Sequence, residues 1–333
     1  MEFLKNINVI NEVFMRRAIQ LAYNGFFLMD HFYPLVGYVI EKKGKVILED
    51  WYCNKNHNEM FFSLKKRINN EIEKKKILLS STLYITMEPI LSYQSCIDLI
   101  IKHQIHTVVI GMKNYLLKEK GLWIKSLRKN GILVLENCLK KQCFFLNRRF
   151  FLFRKKLRPY IILKWNQSLD GFIINNNHYY NKIFHKKWKY EEHGCLLEYK
   201  VLMNYYNKEN LKIDSDKIKY RIFTIAKYYY KNKKQLKNIY PKIGNFFLFS
   251  HETNNIKNIL RFLYRNKVQS LLVEVGLKML KIFLKKNIWN ECRILLHKVF
   301  IGNGLRIPDI QKKIFHKTVF NNKKHQLIYI YNK

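Results

Sequence analysis

Glycine and proline are scarce in this chain, 12 and 5 of 333 residues. Their scarcity excludes collagen-like and Pro/Gly-rich low-complexity classes. Acidic residues are also few: 24 Asp and Glu stand against 62 Lys and Arg, for a formal charge of +38. Lys is spread along the whole chain together with Asn, Ile, Tyr and Phe, the usage that an AT-rich genome imposes on any protein. A nucleic-acid binder gathers its charge into a stripe or arm. None stands out here, so nucleic acid is not expected as a partner. The cysteines are Cys53, Cys96, Cys138, Cys143, Cys195 and Cys292, in no disulfide-framework spacing, and the chain is too long for a stapled miniprotein. No uncharged apolar run reaches the roughly 18 residues of a membrane span. The most apolar region, 143–163, is broken by Arg148, Arg149, Arg154, Lys155, Lys156 and Arg158. The start, Met1 to Asn6, has no apolar core of a secretory leader. No membrane association is expected, and a cytoplasmic location is.

What the chain does have is apolar bulk: 48% hydrophobic and 15% aromatic residues. A length of 333 residues suggests two domains, each with its own core. The first half alternates strand and helix patterns. Apolar positions at helical spacing run over 11–24, and strands are expected at 35–41 and 45–51, joined at Lys43-Gly44. A helix is expected to begin near His57, followed by strand 83–86, helix 95–103, strand 107–110, helix 119–129 and strand 131–135. The second half repeats the alternation, with strands at 160–164, 194–198, 219–225, 245–249, 269–274, 291–300 and 326–331 and helices at 184–192, 255–266 and 276–287. Segments 174–182 and 204–218, rich in Asn, Lys and Tyr, read as loops. Such alternation implies α/β layers. The seam falls in the basic, poorly periodic stretch 146–158, which gives domains 1–147 and 148–333.

The first half carries chemistry in three pieces. His57-Asn58-Glu59 sits where a helix should begin, Thr86-Met87-Glu88-Pro89-Ile90 ends a short strand, and Cys96 starts the next helix. H-x-E followed by P-C and a second Cys is the layout of a zinc nucleobase deaminase, in which a His and two thiolates hold the metal and the Glu moves protons. His57 and Cys96 fit as ligands and Glu59 as the general acid/base. The first Cys position, however, is Ile90. Cys53, four residues before His57, is the other thiol nearby. Taken singly, an H-x-E pair is common by chance, and a lone Cys is more often a small buried apolar residue.

The second half opens on Arg158-Pro159-Tyr160-Ile161-Ile162-Leu163-Lys164-Trp165-Asn166-Gln167-Ser168-Leu169-Asp170-Gly171. This stretch resembles, nearly residue for residue, the reductase start of the bifunctional riboflavin-biosynthesis deaminase/reductase family, the RibD type. The resemblance continues elsewhere. Arg17-Ala18 with Tyr33-Pro34-Leu35-Val36-Gly37 is similar to the family's N-terminal motif, with Tyr33 where the family has Asn. His57-Asn58-Glu59, Thr86 to Pro89 and Ser95-Cys96 match the deaminase motifs. Trp188 to Leu197, Val273-Glu274-Val275-Gly276 and Phe300-Ile301-Gly302-Asn303-Gly304 match later reductase elements. Glu198 and Val275 replace family residues that lie against the dinucleotide.

The resemblance implies a cytidine-deaminase-like α/β/α domain followed by a dihydrofolate-reductase-like α/β domain. It implies hydrolytic deamination of a phosphoribosylated diaminopyrimidine with zinc, then reduction of the ribosyl group with NADPH. Lys164, Ser168 and Glu274 would face substrate, and Asp170, Gly171 and Gly276 the cofactor. A homodimer through the reductase domain is the implied assembly. Two other readings stay open. The chain could be a catalytically silent remnant or scaffold of the family, given the losses at Tyr33, Ile90, Glu198 and Val275. It could also be an RNA base deaminase, against which the 158–171 stretch argues.

Overall fold

The computed structural model describes residues 2–27, 33–52, 78–89, 93–117, 121–174, 187–188, 191–198, 220–225, 246–250, 256–307, 310, 314–321 and 325–332. The chain divides into two compact units, Met1–Arg154 and Lys155–Lys333.

The first unit is built on a five-stranded sheet. Its strands are β1 (Val36–Lys42), β2 (Lys45–Tyr52), β3 (Thr82–Met87), β4 (Thr107–Met112) and β5 (Leu133–Glu136), in the order β2-β1-β3-β4-β5. β1 is antiparallel to both neighbours, whereas β3, β4 and β5 run parallel. The β1–β2 hairpin closes at Lys43 and Gly44, with φ of 51° and 76°. Two successive left-handed residues give the turn whose twist matches the flanking strands. Parallel pairs need crossovers. Helix α2 (Tyr93–Lys102) leads from β3 to β4, and helix α3 (Leu122–Lys129) from β4 to β5.

Helix α1 (Glu2–Ala22) lies on this sheet through Phe14, Met15, Ala18, Ile19 and Ala22, the i, i+3/i+4 stripe of an amphipathic helix. It comes unusually close at Gly37. A Cβ there would overlap the Ala18 carbonyl oxygen and sit 2.9 Å from its carbonyl carbon.

A helix, α5 (Arg148–Lys156), occupies most of the stretch 146–158 expected to be an aperiodic seam, and α4 (Lys140–Leu146) leads into it. The basic residues hide the period. Arg148 lies over the Phe145 ring, Arg149 over Phe26 and Arg154 over Phe150, while Phe150, Phe151 and Phe153 are buried. Long basic side chains laid along apolar surface look polar in sequence and act as cover in structure. Between these helices, buried Asn147 accepts the Leu35 N–H at 2.7 Å and donates to its carbonyl at 2.9 Å, which anchors the segment entering β1.

The second unit carries an eight-stranded sheet, β12-β13-β11-β6-β10-β7-β8-β9. The strands are β6 (Tyr160–Gln167), β7 (Gly194–Glu198), β8 (Tyr220–Ile225), β9 (Phe246–Ser250), β10 (Ser270–Glu274), β11 (Glu291–His297), β12 (Ile314–Asn321) and β13 (His325–Asn332). From β11 to β9 all neighbours are parallel, and β13 and β12 add an antiparallel edge. β12 was not expected from the sequence. It is an edge strand with exposed Val319 and Phe320, so no clean burial alternation marks it. Of the expected helix 184–192, Lys187 and Trp188 are helical, Glu191 to His193 form a turn, and the remainder lies outside the described residues. Nearly all of the expected loops 174–182 and 204–218 also lie outside them.

One face of this sheet is apolar. Ile161, Leu163, Leu271, Val273, Cys292, Ile294, Ile328 and Ile330 pack with helices α6 (Ile256–Arg265) and α7 (Leu277–Lys285), which contribute Ile259, Leu263, Leu280 and Phe283. Strand side chains alternate between faces. Tyr160, Lys164, Glu274, Glu291, Arg293 and Tyr329 therefore stand on the opposite face.

Candidate functional site

In the first unit, His57, Glu59, Cys53 and Ile90 lie outside the described residues. The structure does place the end of β3 and the start of α2. Thr86 is buried, and its hydroxyl accepts the Gly37 N–H at 3.1 Å. Glu88 is fully buried and accepts from two loop amides, Asn114 N–H at 3.2 Å and Gly121 N–H at 3.1 Å. Burial pushes its carboxyl above the ordinary range, while those amides pull the other way. Glu88 thus fastens the loop that leads into α3.

Cys96 is buried in α2. Burial raises its thiol well above the ordinary value, and the Trp123 indole of α3 partly counters this. Among the described residues, no group of three or more His, Cys, Asp and Glu could hold a metal ion. Structural and catalytic zinc sites need at least three protein donors. Ile90 has no donor atom, so His57, Cys96 and position 90 do not make a three-ligand zinc site.

In the second unit, the predicted residues gather toward the carboxyl ends of the central parallel strands, where α/β sheets open a ligand crevice. Lys164 on β6 donates to Glu274 on β10 at 2.6 Å, with Lys164 buried and Glu274 nearly so. β6 then turns at Ser168-Leu169-Asp170-Gly171. Ser168 is buried, and its Oγ accepts the Phe172 N–H at 3.0 Å and donates to the Phe172 carbonyl at 3.3 Å. Gly171 closes the turn with φ 82°.

Exposed Asp170 accepts the N–H groups of Ile301 at 3.2 Å and Gly302 at 2.8 Å. The Ser168 hydroxyl and these amides hold its carboxyl below the usual range. Ser168, Asp170 and Gly171 thus build the turn and dock it on the 299–305 loop. Gly276 is the N-cap of α7, directly after Glu274 and Val275. A helix N-terminus there presents free N–H groups suited to a phosphate. Glu198 ends β7, beside Glu274's strand.

Sequence reasoning quoted Glu88 within its motif but gave it no role of its own, and it passed over Arg293. Arg293 is fully buried on β11 amid Glu191, Glu192 and Glu291. Burial disfavours its charge, but the three carboxylates outweigh that and hold the guanidinium charged. The sequence offers one trace of it: Glu291-Cys-Arg293-Ile-Leu-Leu puts two charges at alternate positions of an otherwise apolar strand.

Comparison with known proteins takes in part of this site, Glu274, Gly276 and Arg293 among it. The RibD C-terminal domain model matches residues 205–327. The riboflavin biosynthesis protein RibD of Actinobacillus pleuropneumoniae is 33% identical over 167 residues, which is 49% of this chain and 43% of that protein. This chain thus spans less than half of that relative's length. RibD of Aquifex aeolicus aligns end to end, 26% identical over 96% of this chain and 95% of its own. The chain is similar to RibD proteins along nearly its whole length. The fold agrees over both units. The crystal structure of a diaminohydroxyphosphoribosylaminopyrimidine deaminase/5-amino-6-(5-phosphoribosylamino)uracil reductase from Thermotoga maritima superposes with a TM-score of 0.75 at 22% identity, covering 98% of this chain and 99% of that one. A RibD structure from Acinetobacter baumannii gives 0.71 at 17% identity. The two-part α/β architecture expected from the sequence is thus that of full-length RibD structures.

Proposed function

We propose that this RibD-like chain carries out two consecutive steps of riboflavin biosynthesis. The 1–154 unit removes an exocyclic amine from a phosphoribosylated diaminohydroxypyrimidine by hydrolysis. The 155–333 unit reduces the ribosyl group of the resulting 5-amino-6-(5-phosphoribosylamino)uracil to ribityl. The observation that carries this reading is the Lys164–Glu274 pair across adjacent parallel strands, its lysine inside the 158–171 stretch that resembles the family's reductase start. NADPH, when bound, supplies the hydride. The α7 N-terminus at Gly276 and the crevice beside Glu274 suit its phosphates and its ring end. Lys164, fixed by Glu274, presents a charged donor to the substrate's ribosyl oxygens, and the Ser168–Gly171 turn shapes the wall. In the first unit, Glu59 moves the proton from water to the departing ammonia. The zinc set is one donor short at Ile90, so the deaminase half is the weaker of the two.

The partners in this reading are the phosphorylated pyrimidine and a second copy of the chain, paired through the reductase unit. The exposed apolar loop around Phe300 and Leu305 supports such pairing. No helix among the described residues is long and apolar enough to cross a membrane, in keeping with a proposed cytoplasmic location.

The test is made on the full chain. NADPH oxidation with the aminouracil substrate is expected at a measurable rate. Ammonia release from the diaminopyrimidine is expected to be slow, and to rise along with bound zinc in Ile90→Cys. A protein that neither binds nor oxidises NADPH refutes the reductase assignment and leaves a silent remnant. Wild-type protein with one zinc per chain refutes the donor count.

A further inference from the structure

Strand β6 and its continuation present every second side chain to the polar face of the eight-stranded sheet: Tyr160, Ile162, Lys164, Asn166 and Ser168. The polar members of this row are engaged one after another. Tyr160 donates its hydroxyl to Glu291 at 3.2 Å, Lys164 its ammonium to Glu274 at 2.6 Å, and the Ser168 hydroxyl bonds with the Phe172 backbone. Asn166 breaks the pattern. Its carboxamide oxygen is buried and accepts no hydrogen bond from any described residue. Its backbone carbonyl is taken, by the Ile174 N–H at 3.0 Å.

The place of Asn166 in the sheet gives this orphan a meaning. β10 pairs with β6 only from Tyr160 to Leu163 and ends at Glu274, whereas β11 accompanies β6 on to Gln167. Asn166 therefore stands past the end of β10, where one flank of β6 has no strand among the described residues. In a parallel α/β sheet, a ligand crevice opens at such a step at the carboxyl ends of the strands. On the same face, Lys164 is the next side chain before Asn166, and Ser168, which opens the turn to Gly171, is the next one after it. Asn166 as a whole is only half-buried.

A buried carbonyl oxygen without a donor is rare and lowers stability, so it calls for an explanation. The carboxamide also defines its best partner. It is an acceptor beside a donor, and another amide matches it edge to edge, C=O to N–H and N–H to C=O. A phosphate, which offers only acceptors at neutral pH, leaves the oxygen as it is. The last torsion of an Asn side chain is broad and roughly two-fold. A half-turn there exchanges the oxygen and the NH₂ group without any movement of the backbone. Both reactants of the proposed reduction carry an amide edge. One is the ring N–H and C=O of the aminouracil, the other the carboxamide of the nicotinamide.

We propose that Asn166 is a binding residue of the reductase crevice, which recognises an amide edge of a bound reactant beside the Lys164 ammonium. This inference rests on the reductase reading given above. The ligand supplies the donor that the carboxamide oxygen lacks in the free protein, so binding removes a cost and gains a pair of hydrogen bonds together. The pair also fixes the rotation of a planar ring in the crevice, which a single ammonium contact does not.

The test compares the full wild-type chain with Asn166→Leu, which keeps the size of the side chain and lacks the amide. Asn166→Ser, smaller and polar, serves if the leucine disturbs folding. NADPH affinity is read from the fluorescence of the bound nicotinamide, aminouracil affinity by equilibrium dialysis, kcat and KM from NADPH oxidation, and folding from urea unfolding. With the nicotinamide carboxamide as partner, the NADPH Kd rises about 10-fold in the variants, while the reduced 3-acetylpyridine analogue, which has no amide N–H, changes by less than about 3-fold. With the uracil ring as partner, the NADPH Kd stays within about 2-fold, and the aminouracil KM rises about 10-fold at nearly constant kcat.

Folded variants that bind both NADPH and the aminouracil within about 2-fold of wild type overturn the proposal, and a change in stability alone then assigns the orphan oxygen to a buried water. Wild-type protein that binds either reactant without hydride transfer refutes the reductase reading alone, and the affinities of the variants still decide the role of Asn166. Wild-type protein that binds neither reactant overturns both.

Discussion

Replacing Gly37 with alanine places a methyl group where helix α1 meets β1. The added carbon would overlap the Ala18 carbonyl oxygen, with the Ala18 carbonyl carbon at 2.9 Å and the Ala22 nitrogen at 3.0 Å. All of these are backbone atoms, so no side-chain rotation relieves the contact. The helix must withdraw by roughly an ångström, and gaps of that size forfeit about a quarter to a half of the contact energy of the groups involved. Phe14, Met15 and Ile19 are the large buried side chains on that face. Full burial of such a side chain contributes about 1.5–3 kcal/mol, so the loss over these three side chains comes to about 1–4.5 kcal/mol. That range brackets the 1–3 kcal/mol typical of overpacking.

Urea unfolding of the first unit, followed through buried Trp123, measures the loss directly. Gly44→Ala is the control. Gly44 has φ +76° with nothing within 4 Å of an added Cβ, so only backbone strain is expected there, about 1 kcal/mol. A Gly37→Ala protein within about 0.5 kcal/mol of wild type refutes the close approach of α1 to β1.

Glu88 gives the first unit a pH signature. Burial raises its carboxyl above 4.5 in the folded state, so the folded protein holds this proton more tightly than the unfolded chain. The stability it contributes is full below pH 4.5 and is lost as pH rises through the raised value. Glu88→Gln is expected to flatten that slope, at a constant cost of about 1–3 kcal/mol for the amide N–H left facing the new NH₂ group. An unchanged pH slope in the variant refutes the assignment. In the second unit, Lys164→Met removes a charged donor worth about 1.5–3 kcal/mol. Reductase kcat/KM is expected to fall about 10- to 150-fold, with ammonia release by the first unit unchanged; equal loss of both activities points to misfolding instead.

The alternating strands and helices of both units were legible because their cores follow simple periods. The β1–β2 hairpin at Lys43-Gly44 and strand Gly194–Glu198 fall where patterning placed them. What escaped is instructive in each case. Helices α4 and α5 were hidden by arginines that lie across aromatic rings and act as cover, which no hydropathy pattern registers. Strand β12 was hidden by its exposure at the sheet edge. At the site, the Lys164 and Glu274 motifs were legible, but their pairing was not, since 110 positions separate them. Ser168 and Asp170, expected to face ligands, also fix a turn with their polar atoms and dock it on the Ile301–Gly302 amides, a role for Ser168 that the motif alone does not show. Arg293 was overlooked because a charge in an apolar strand has meaning only once its three carboxylates are brought to it.

Strand β6 lies near the middle of its sheet, yet its neighbours β10 and β11 come late in the chain: the Lys164–Glu274 contact spans 110 positions and Ile161–Asn290 spans 129. On the ribosome, Tyr160–Gln167 therefore leaves the exit tunnel long before either flanking strand has been translated. At about 5–20 residues per second, this apolar segment waits on the order of ten seconds without a partner. The first unit faces no such delay, because β1 and β2 are joined by a two-residue turn. The nascent chain should therefore complete its N-terminal half early and carry an unpaired, aggregation-prone strand until nearly the last residues emerge, which makes the second half the natural client of a chaperone.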